Sequence, residues 1–336
     1  MFQRNTSLKS YNTFGIEVYA KRFVSVDSIA QLKQIISNQK DVFILSGGSN
    51  VLFTENINKD VIHINTKGKE IIYTSKDDNN VLIKVQAGEN WHEFVLWCIE
   101  KDFGGLENLS LIPGKVGTSP MQNIGAYGTE IKDSFYELEA LEIASGKIKV
   151  FKNIDCNFGY RESVFKNIEK GKFIIINVTF KLTKFKHELN TSYGAIKSEL
   201  QKNDINNPTI KDVSDAVIRI RQSKLPNPEE IGNSGSFFKN PVISAAQFND
   251  LKREYPNIPY YPVSEKSVKV PAGWLVEQCG FKGKRFGDAG VHKNQALVLV
   301  NHGNSTGNEI LDLAKNIQRT VLDEFGIELI MEVNVI

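Results

Sequence analysis

Residues 104–128 read Gly-Gly-Leu-Glu-Asn-Leu-Ser-Leu-Ile-Pro-Gly-Lys-Val-Gly-Thr-Ser-Pro-Met-Gln-Asn-Ile-Gly-Ala-Tyr-Gly. Six of the chain's 25 glycines fall here, and only Glu107 and Lys115 carry charge. The glycines, with Pro113 and Pro120, forbid a helix. A solvated loop would carry more charge, and Leu106, Leu109, Leu111, Ile112, Val116, Met121, Ile124 and Tyr127 all need cover, which argues against disorder. What remains is a long, apolar, irregular loop, a kind of segment that is usually functional. Its glycines let backbone N–H groups approach a ligand closely. Thr118, Ser119, Gln122 and Asn123 add short hydrogen-bonding groups. From the residues alone, a cradle for a large phosphate-bearing cofactor and a buried structural loop are equally good readings.

The rest of the composition narrows the class. A chain of 336 residues implies roughly two or three domains. A net charge of +2 gives no basic stripe for nucleic acid. No apolar run approaches the roughly 20 residues of a membrane span, and the first residues carry no secretory h-region. Cys98, Cys156 and Cys279 form no CxxC pair, and the five histidines form no HxxxH or HExxH pair. Neither a disulfide framework nor a protein metal site is expected, and the expected compartment is a reducing cytoplasm.

In chain order, Arg22–Val26 predicts a strand, and Asp27 caps a helix carrying Ile29, Leu32, Ile35 and Ile36. The buried strand Val42–Leu45 runs into Ser46-Gly-Gly-Ser-Asn-Val-Leu, a turn with the makings of an anion-binding nest or of a plain tight turn. Strands follow at Val61–Ile64, Lys69–Thr74 and Val81–Gln86. Asn90 and Glu93 read as the capping box of a helix with Trp91, Phe94, Val95, Cys98 and Ile99 inward. A hairpin turns at Ser145-Gly146, and Phe173–Leu182 is a strong strand. Residues 186–212 read as a polar connector. Asp215–Lys224 is amphipathic, with Arg219, Arg221 and Lys224 outward, followed by a second Gly-rich loop at 232–241. Ser244 opens a helix, and Ala272–Cys279 is a short helix stopped by Gly280. Strand Ala296–Val300, helix Thr306–Phe325 and strand Ile327–Ile336 suggest a right-handed crossover in a second small sheet.

Three residues stand out chemically, each with a structural alternative. Arg161 follows Gly159-Tyr160 at a strand–loop junction, where a guanidinium grips a carboxylate or simply forms an ion pair. Ser236, between Gly235 and Phe237-Phe238, reads as a poorly solvated hydroxyl able to donate, or as a turn serine. Glu332 shares a strand face with Ile330, Asn334 and Ile336; if buried it needs a partner or a proton. Lys224 and Lys239 flank the second Gly-rich loop, with Tyr193, Tyr260 and Tyr261 in loops around it.

Taken together the motifs say more. Tyr11-Asn-Thr-Phe-Gly, Ser46-Gly-Gly-Ser-Asn-Val-Leu, Ala87-Gly-Glu-Asn-Trp, Gly105-Leu-Glu-Asn-Leu-Ser-Leu-Ile-Pro-Gly, Gln122-Asn-Ile-Gly-Ala-Tyr-Gly, Phe158-Gly-Tyr-Arg-Glu-Ser, Gly235-Ser-Phe-Phe-Lys-Asn-Pro and Ala272-Gly-Trp-Leu-Val-Glu-Gln-Cys-Gly occur in this order along nearly the whole chain. The set closely resembles the UDP-N-acetylenolpyruvoylglucosamine reductase family, in its longer type with a tyrosine loop. The resemblance implies an α+β fold, with an FAD-binding region of vanillyl-alcohol-oxidase (PCMH) type followed by a smaller α/β substrate-binding domain. The boundaries it suggests are 1–66 and 67–205 for two flavin-binding subdomains, 206–325 for the substrate domain and 326–336 for a last strand carrying the catalytic glutamate.

It further implies non-covalent FAD, reduction by NADPH, and reduction of UDP-N-acetylglucosamine enolpyruvate to UDP-N-acetylmuramate in peptidoglycan synthesis, a step serving cell shape and division. Hydride from flavin N5 to the terminal enolpyruvyl carbon leaves an enolate, whose charge needs preorganised donors. By resemblance Arg161 and a protonated Glu332 hold the carboxylate and stabilise that enolate, and Ser236 gives the proton. Ser46, Gly47, Gly48, Ser49, Asn50, Thr118, Ser119, Pro120, Gln122, Asn123, Ile124, Gly125 and Ala126 match the flavin cradle. Tyr160, Tyr193, Lys224, Asn240, Tyr261 and Gln295 match substrate positions. Many covalent relatives of the fold carry a histidine after the Gly-Gly turn; Ser49 stands there, consistent with dissociable FAD. A monomer without metal, nucleic acid or membrane partners is expected. The rivals are an oxygen-using sugar or alcohol oxidase of the same flavin fold and a non-enzymatic nucleotide-binding protein.

Overall fold

The computed structural model describes residues 1–39, 41–74 and 78–336. The chain divides into two compact units. The first comprises Met1–Thr6, Ala20–Gly47 and Ile57–Ser223, the second Ser7–Tyr19, Gly48–Asn56 and Lys224–Ile336.

In the first unit, one sheet has the strand order Gln3–Ser7, Tyr19–Val26, Ile57–Ile64, Val42–Leu45, with Ile57–Ile64 parallel to both its neighbours Tyr19–Val26 and Val42–Leu45. The helix Ile29–Asn38 connects two of these strands. Its cap is Ser28, whose side chain accepts from Gln31 N, not the expected Asp27; Asp27 instead accepts from Asn65 Nδ2 at 2.9 Å. A second, antiparallel sheet runs Ile148–Lys152, Phe135–Glu142, Phe173–Thr183, Asn80–Gln86, Lys69–Thr74. One face meets the first sheet and its helix through Leu141, Ile174, Ile176, Val24, Leu32 and Ile62. The other packs on the helix Trp91–Glu100 and on the 104–128 loop through Trp91, Phe94, Phe180, Leu106, Leu109 and Val116. Each fully buried side chain of this kind is worth about 1.5–3 kcal/mol, enough to hold an irregular backbone in one conformation. Asn90 caps the Trp91–Glu100 helix, accepting from Glu93 N.

The span 186–212 is not a plain connector. It contains the helix Gly194–Lys202, and the next helix starts early, at Ile210–Lys224. Ile196 and Leu200 bury against Val213, Ala216, Val217 and Ile220 in a small separate core. Thr209 and Asp212 bond reciprocally ahead of Ile210, the geometry of a capping box.

In the second unit, an antiparallel sheet has the order Gly232–Ser236, Val298–Asn301, Ala289–Val291, Arg285–Phe286. A smaller one has the order Val242–Ser244, Ser267–Lys269, Tyr261–Ser264. The helix Gly307–Phe325 starts in a Thr306/Glu309 capping box and stops at Gly326, φ +61°. The expected crossover does not form. Only Asn334–Val335 of the last segment is a strand, and it pairs in parallel with Val51–Leu52. Upstream of it, Phe238 and Met331 form an antiparallel bridge.

Candidate active site

In the first unit the 104–128 loop carries most of the residues expected to hold the cofactor. Both charges in the loop are satisfied internally. Glu107 is buried and accepts from Gly105 N at 2.7 Å. Lys115 Nζ meets His63 Nε2 and Ile64 O at 2.9 Å each and Asn65 Oδ1 at 3.4 Å. Burial, helped by Lys67, brings the Lys115 pKa down to about 8. His63 is pushed down to about 4 by burial and by Lys115, so it is a neutral acceptor at Nε2 with Ser25 Oγ 3.0 Å from Nδ1.

The Ser46–Gly47 turn lies against this loop. A Cβ on Gly47 would meet Gly114 Cα at 3.0 Å, and one on Gly117 would meet Ala87 Cβ at 2.5 Å. Ser46 Oγ and Thr66 Oγ1 are buried without a hydrogen-bond partner among the described residues. Backbone packed this closely, with a buried hydroxyl lacking a protein acceptor beside it, fits a phosphate-bearing flavin cofactor. Downstream, Thr118 Oγ1 donates to Lys115 O at 2.8 Å and Ser119 Oγ to Val116 O at 2.7 Å, so both side chains shape the loop. Pro120, Gln122, Ile124, Gly125 and Ala126 continue it, with Gly125–Ala126 pairing to Thr129–Glu130.

Tyr160 and Arg161 occupy the tip of a four-residue hairpin closed by Gly159 N to Glu162 O and Glu162 N to Gly159 O, at 3.0 and 3.2 Å. Arg161 has φ +56°, a conformation that costs a non-glycine residue about 1–2 kcal/mol. Its Nη2 donates to Gly125 O at 2.6 Å, and its Cζ lies 5.4 Å from the centre of the half-exposed Tyr160 ring.

One residue read as surface matters here. Arg221, expected outward, is half-buried. Its Nε donates to Leu111 O at 3.2 Å, and it hydrogen-bonds Tyr127, whose ring meets Tyr193 edge-on at 5.3 Å. Burial lowers the Arg221 pKa, and it raises that of Tyr127. The signal in the sequence is the position of Arg221, four residues after Val217 and one after Ile220 on a helix that begins at Ile210 rather than Asp215.

The second unit carries Gly48, Ser49, Asn50, Ser236, Asn240, Tyr261, Gln295 and Glu332. Gly48 has φ +58°, and a Cβ there would fall 1.9 Å from Tyr11 O. Thr13 N donates to Gly48 O, and Thr13 O accepts from Asn233 N at 2.9 Å. The Tyr11–Phe14 segment thus joins the Gly48 turn to the loop bearing Ser236, a role that its sequence did not reveal.

Ser236 closes the strand Gly232–Ser236 and is exposed, contrary to the expectation of poor solvation. A register shift between Asn233 and Ser236 breaks the alternation, and both Phe237 and Phe238 turn inward instead. Glu332 is half-buried. Its N–H donates to Phe237 O at 2.8 Å and its carbonyl accepts from Asn50 Nδ2 at 3.2 Å. The segments bearing Ser236, Glu332 and Asn50 are therefore hydrogen-bonded neighbours. Asn240 Oδ1 accepts from Ala272 N at 2.9 Å, and Gln295 Oε1 lies where a Cβ on Gly273 would be 3.2 Å away. Tyr261 is half-exposed, and Lys224 is exposed at the end of its helix. Among the described residues no cluster of His, Cys, Asp or Glu could hold a metal ion, and no helix is long and apolar enough to cross a membrane.

Known proteins identify the family of the chain. A family model for the C-terminal domain of UDP-N-acetylenolpyruvoylglucosamine reductase matches residues 227–336, and an FAD-binding-domain model matches residues 20–152. The UDP-N-acetylenolpyruvoylglucosamine reductase of Flavobacterium johnsoniae is 61% identical over 336 residues, 99% of each chain. That of Amoebophilus asiaticus is 48% identical over 99% of each chain. That of Pseudomonas putida is 44% identical over 99% of this chain and 98% of its own. The crystal structure of the reductase from Thermus caldophilus has the same fold, with a TM-score of 0.69 over 100% of this chain and 99% of that chain at 23% identity. With full-length identity this high, the chain belongs to the UDP-N-acetylenolpyruvoylglucosamine reductase family.

Proposed function

We infer that this chain is a cytoplasmic, monomeric flavoenzyme that uses NADPH to reduce the enolpyruvyl ether of UDP-N-acetylglucosamine, giving UDP-N-acetylmuramate for peptidoglycan synthesis. The structural observation that supports this most is the 2.8 Å bond from Glu332 N to Phe237 O, which sets the segments bearing Glu332 and Ser236 side by side. Bound FAD would supply the hydride-transfer chemistry that links NADPH oxidation to reduction of the enolpyruvyl double bond. The residues of the chain do the rest. The backbone of Ser46–Asn50 and of Thr118–Ala126 cradles the cofactor, with the Ser46 hydroxyl available to a phosphate.

Arg161 and Glu332 bind the substrate carboxylate and stabilise the charge that develops beside it. Ser236 Oγ delivers a proton to the carbon next to the carboxylate, completing the addition of hydride and proton across the double bond. Its exposure is what a group that must meet substrate requires. Tyr160, Tyr193, Lys224, Asn240, Tyr261 and Gln295 bind the UDP-sugar.

An absorbance experiment tests the reading. The purified protein should be yellow and release free FAD in acid. NADPH should bleach it anaerobically, and the enolpyruvyl UDP-sugar should restore the colour without oxygen. Restoration by oxygen alone, with the UDP-sugar inert, would make it an oxidase of the same fold.

A further inference from the structure

Three hydrogen bonds run between the Arg161 hairpin and the 118–126 loop. Arg161 Nη2 donates to Gly125 O at 2.6 Å, Ser163 Oγ to Met121 O at 2.6 Å, and Asn123 Nδ2 to Gly159 O at 2.9 Å. Asn123 is fully buried. Its other amide hydrogen goes to Glu130 Oε2 at 2.9 Å, and its Oδ1 accepts from Lys132 N at 3.2 Å. The Lys132 N–H is a donor only, so it fixes which end of the amide is oxygen. The hydrogen-bonding capacity of this side chain is thus spent inside the protein, and it sits in the left-handed region at φ +45°. Arg161 at φ +56° is strained as well, and such conformations persist only where the surroundings over-determine them. Gly125 leaves little room beside the guanidinium, since a Cβ there would lie 3.0 Å from Arg161 Nη1.

We propose that Asn123, seconded by Ser163, is a positioning residue that acts through Arg161: it locks the carboxylate-binding guanidinium onto the backbone of the flavin-binding loop. This rests on the reading of Arg161 as the carboxylate ligand. A hairpin released from the loop would let Arg161 leave its strained conformation, and the planar fork would no longer be presented in one orientation. Recognition of the enolpyruvyl carboxylate would fall, while the nucleotide and sugar would still bind.

Titration calorimetry on the oxidised, FAD-loaded enzyme, where no turnover occurs, separates these effects. Two ligands are compared, the enolpyruvyl UDP-sugar and UDP-N-acetylglucosamine, which lacks the carboxylate. Arg161→Lys and Asn123→Ala should each weaken the first by about 10- to 100-fold, the span of a charged hydrogen bond, and leave the second within about 2-fold. The double variant should bind the first no worse than Arg161→Lys within about 2-fold, because two residues acting through one contact are not additive. The proposal is overturned if the two losses multiply, if Asn123→Ala weakens both ligands alike, or if it sheds FAD. Full affinity of Arg161→Lys for the enolpyruvyl ligand overturns the reading of Arg161 itself, and the proposal with it. If Asn123→Ala does not fold, Ser163→Ala enters the same cycle with the same expected outcomes.

Discussion

Gly48 shows how little freedom a single position can have. Its left-handed φ and the 1.9 Å approach of a would-be Cβ to Tyr11 O involve backbone on both sides, so no side-chain rotation relieves them. Gly48→Ala should lower the melting temperature and the FAD content of the purified protein together, at a cost of several kcal/mol from strain and overlap combined. Equal melting curves and flavin occupancy would show that the turn adapts. His63 makes a pH prediction. Its folded pKa of about 4 lies below the unfolded value near 6.5. The unfolded chain therefore binds more protons between these values, and this residue's contribution is fully present above about 6.5 and lost as pH falls towards 4. His63→Gln should flatten the fall of melting temperature across that window. An unchanged slope would mean that His63 titrates normally in the fold. Glu107 and Lys115 were legible as odd charges in an apolar loop. Their partners were not, because His63 lies 52 residues from Lys115 and nothing local specifies the pairing.

At the scale of elements, what periodicity could reach came through. The Trp91–Glu100 helix has its expected Asn90 cap, the Gly307–Phe325 helix fills the expected stretch, with Thr306 as its cap rather than its first residue, and the Phe173–Thr183 strand is where a run of β-branched and aromatic residues put it. Two elements escaped for identifiable reasons. The helix Gly194–Lys202 is short and buries only Ile196 and Leu200, too few apolar positions to stand out from a polar stretch. The last segment alternates as a strand should, with Ile327, Leu329 and Val333 buried. Its partners, however, lie in distant sequence, Thr54 bonding Ile336 across 282 residues, so the pairing that replaced the crossover was invisible. Leu200→Ala tests whether the Gly194–Lys202 helix depends on its small core. It should cost about 2–5 kcal/mol, speeding amide exchange in residues 194–202 ahead of the rest of the first unit. Exchange unchanged in that helix would mean that the Leu200 contacts do not hold it.

For the whole molecule, the chain path matters more than any single sheet. It crosses between the two units at 6/7, 19/20, 47/48, 56/57 and 223/224, so the Gly47-Gly48 pair itself straddles a crossing. Arg161 is carried by the first unit, Ser236 and Glu332 by the second. The motifs that carry the resemblance are spread over both units, whereas local rules reach only one element at a time. The central claim is that Ser236 protonates the substrate after hydride addition and takes no part in flavin reduction. Anaerobic stopped-flow absorbance of Ser236→Ala tests it directly. Bleaching by NADPH should stay near the wild-type rate, while recovery of the colour on adding the enolpyruvyl UDP-sugar should slow by about 10²–10⁴-fold, the range for general acid catalysis. Ser236→Cys, which keeps a transferable proton, should regain part of that loss. Equal slowing of both halves, or an intact second half, would contradict the account and leave Ser236 a residue of the turn.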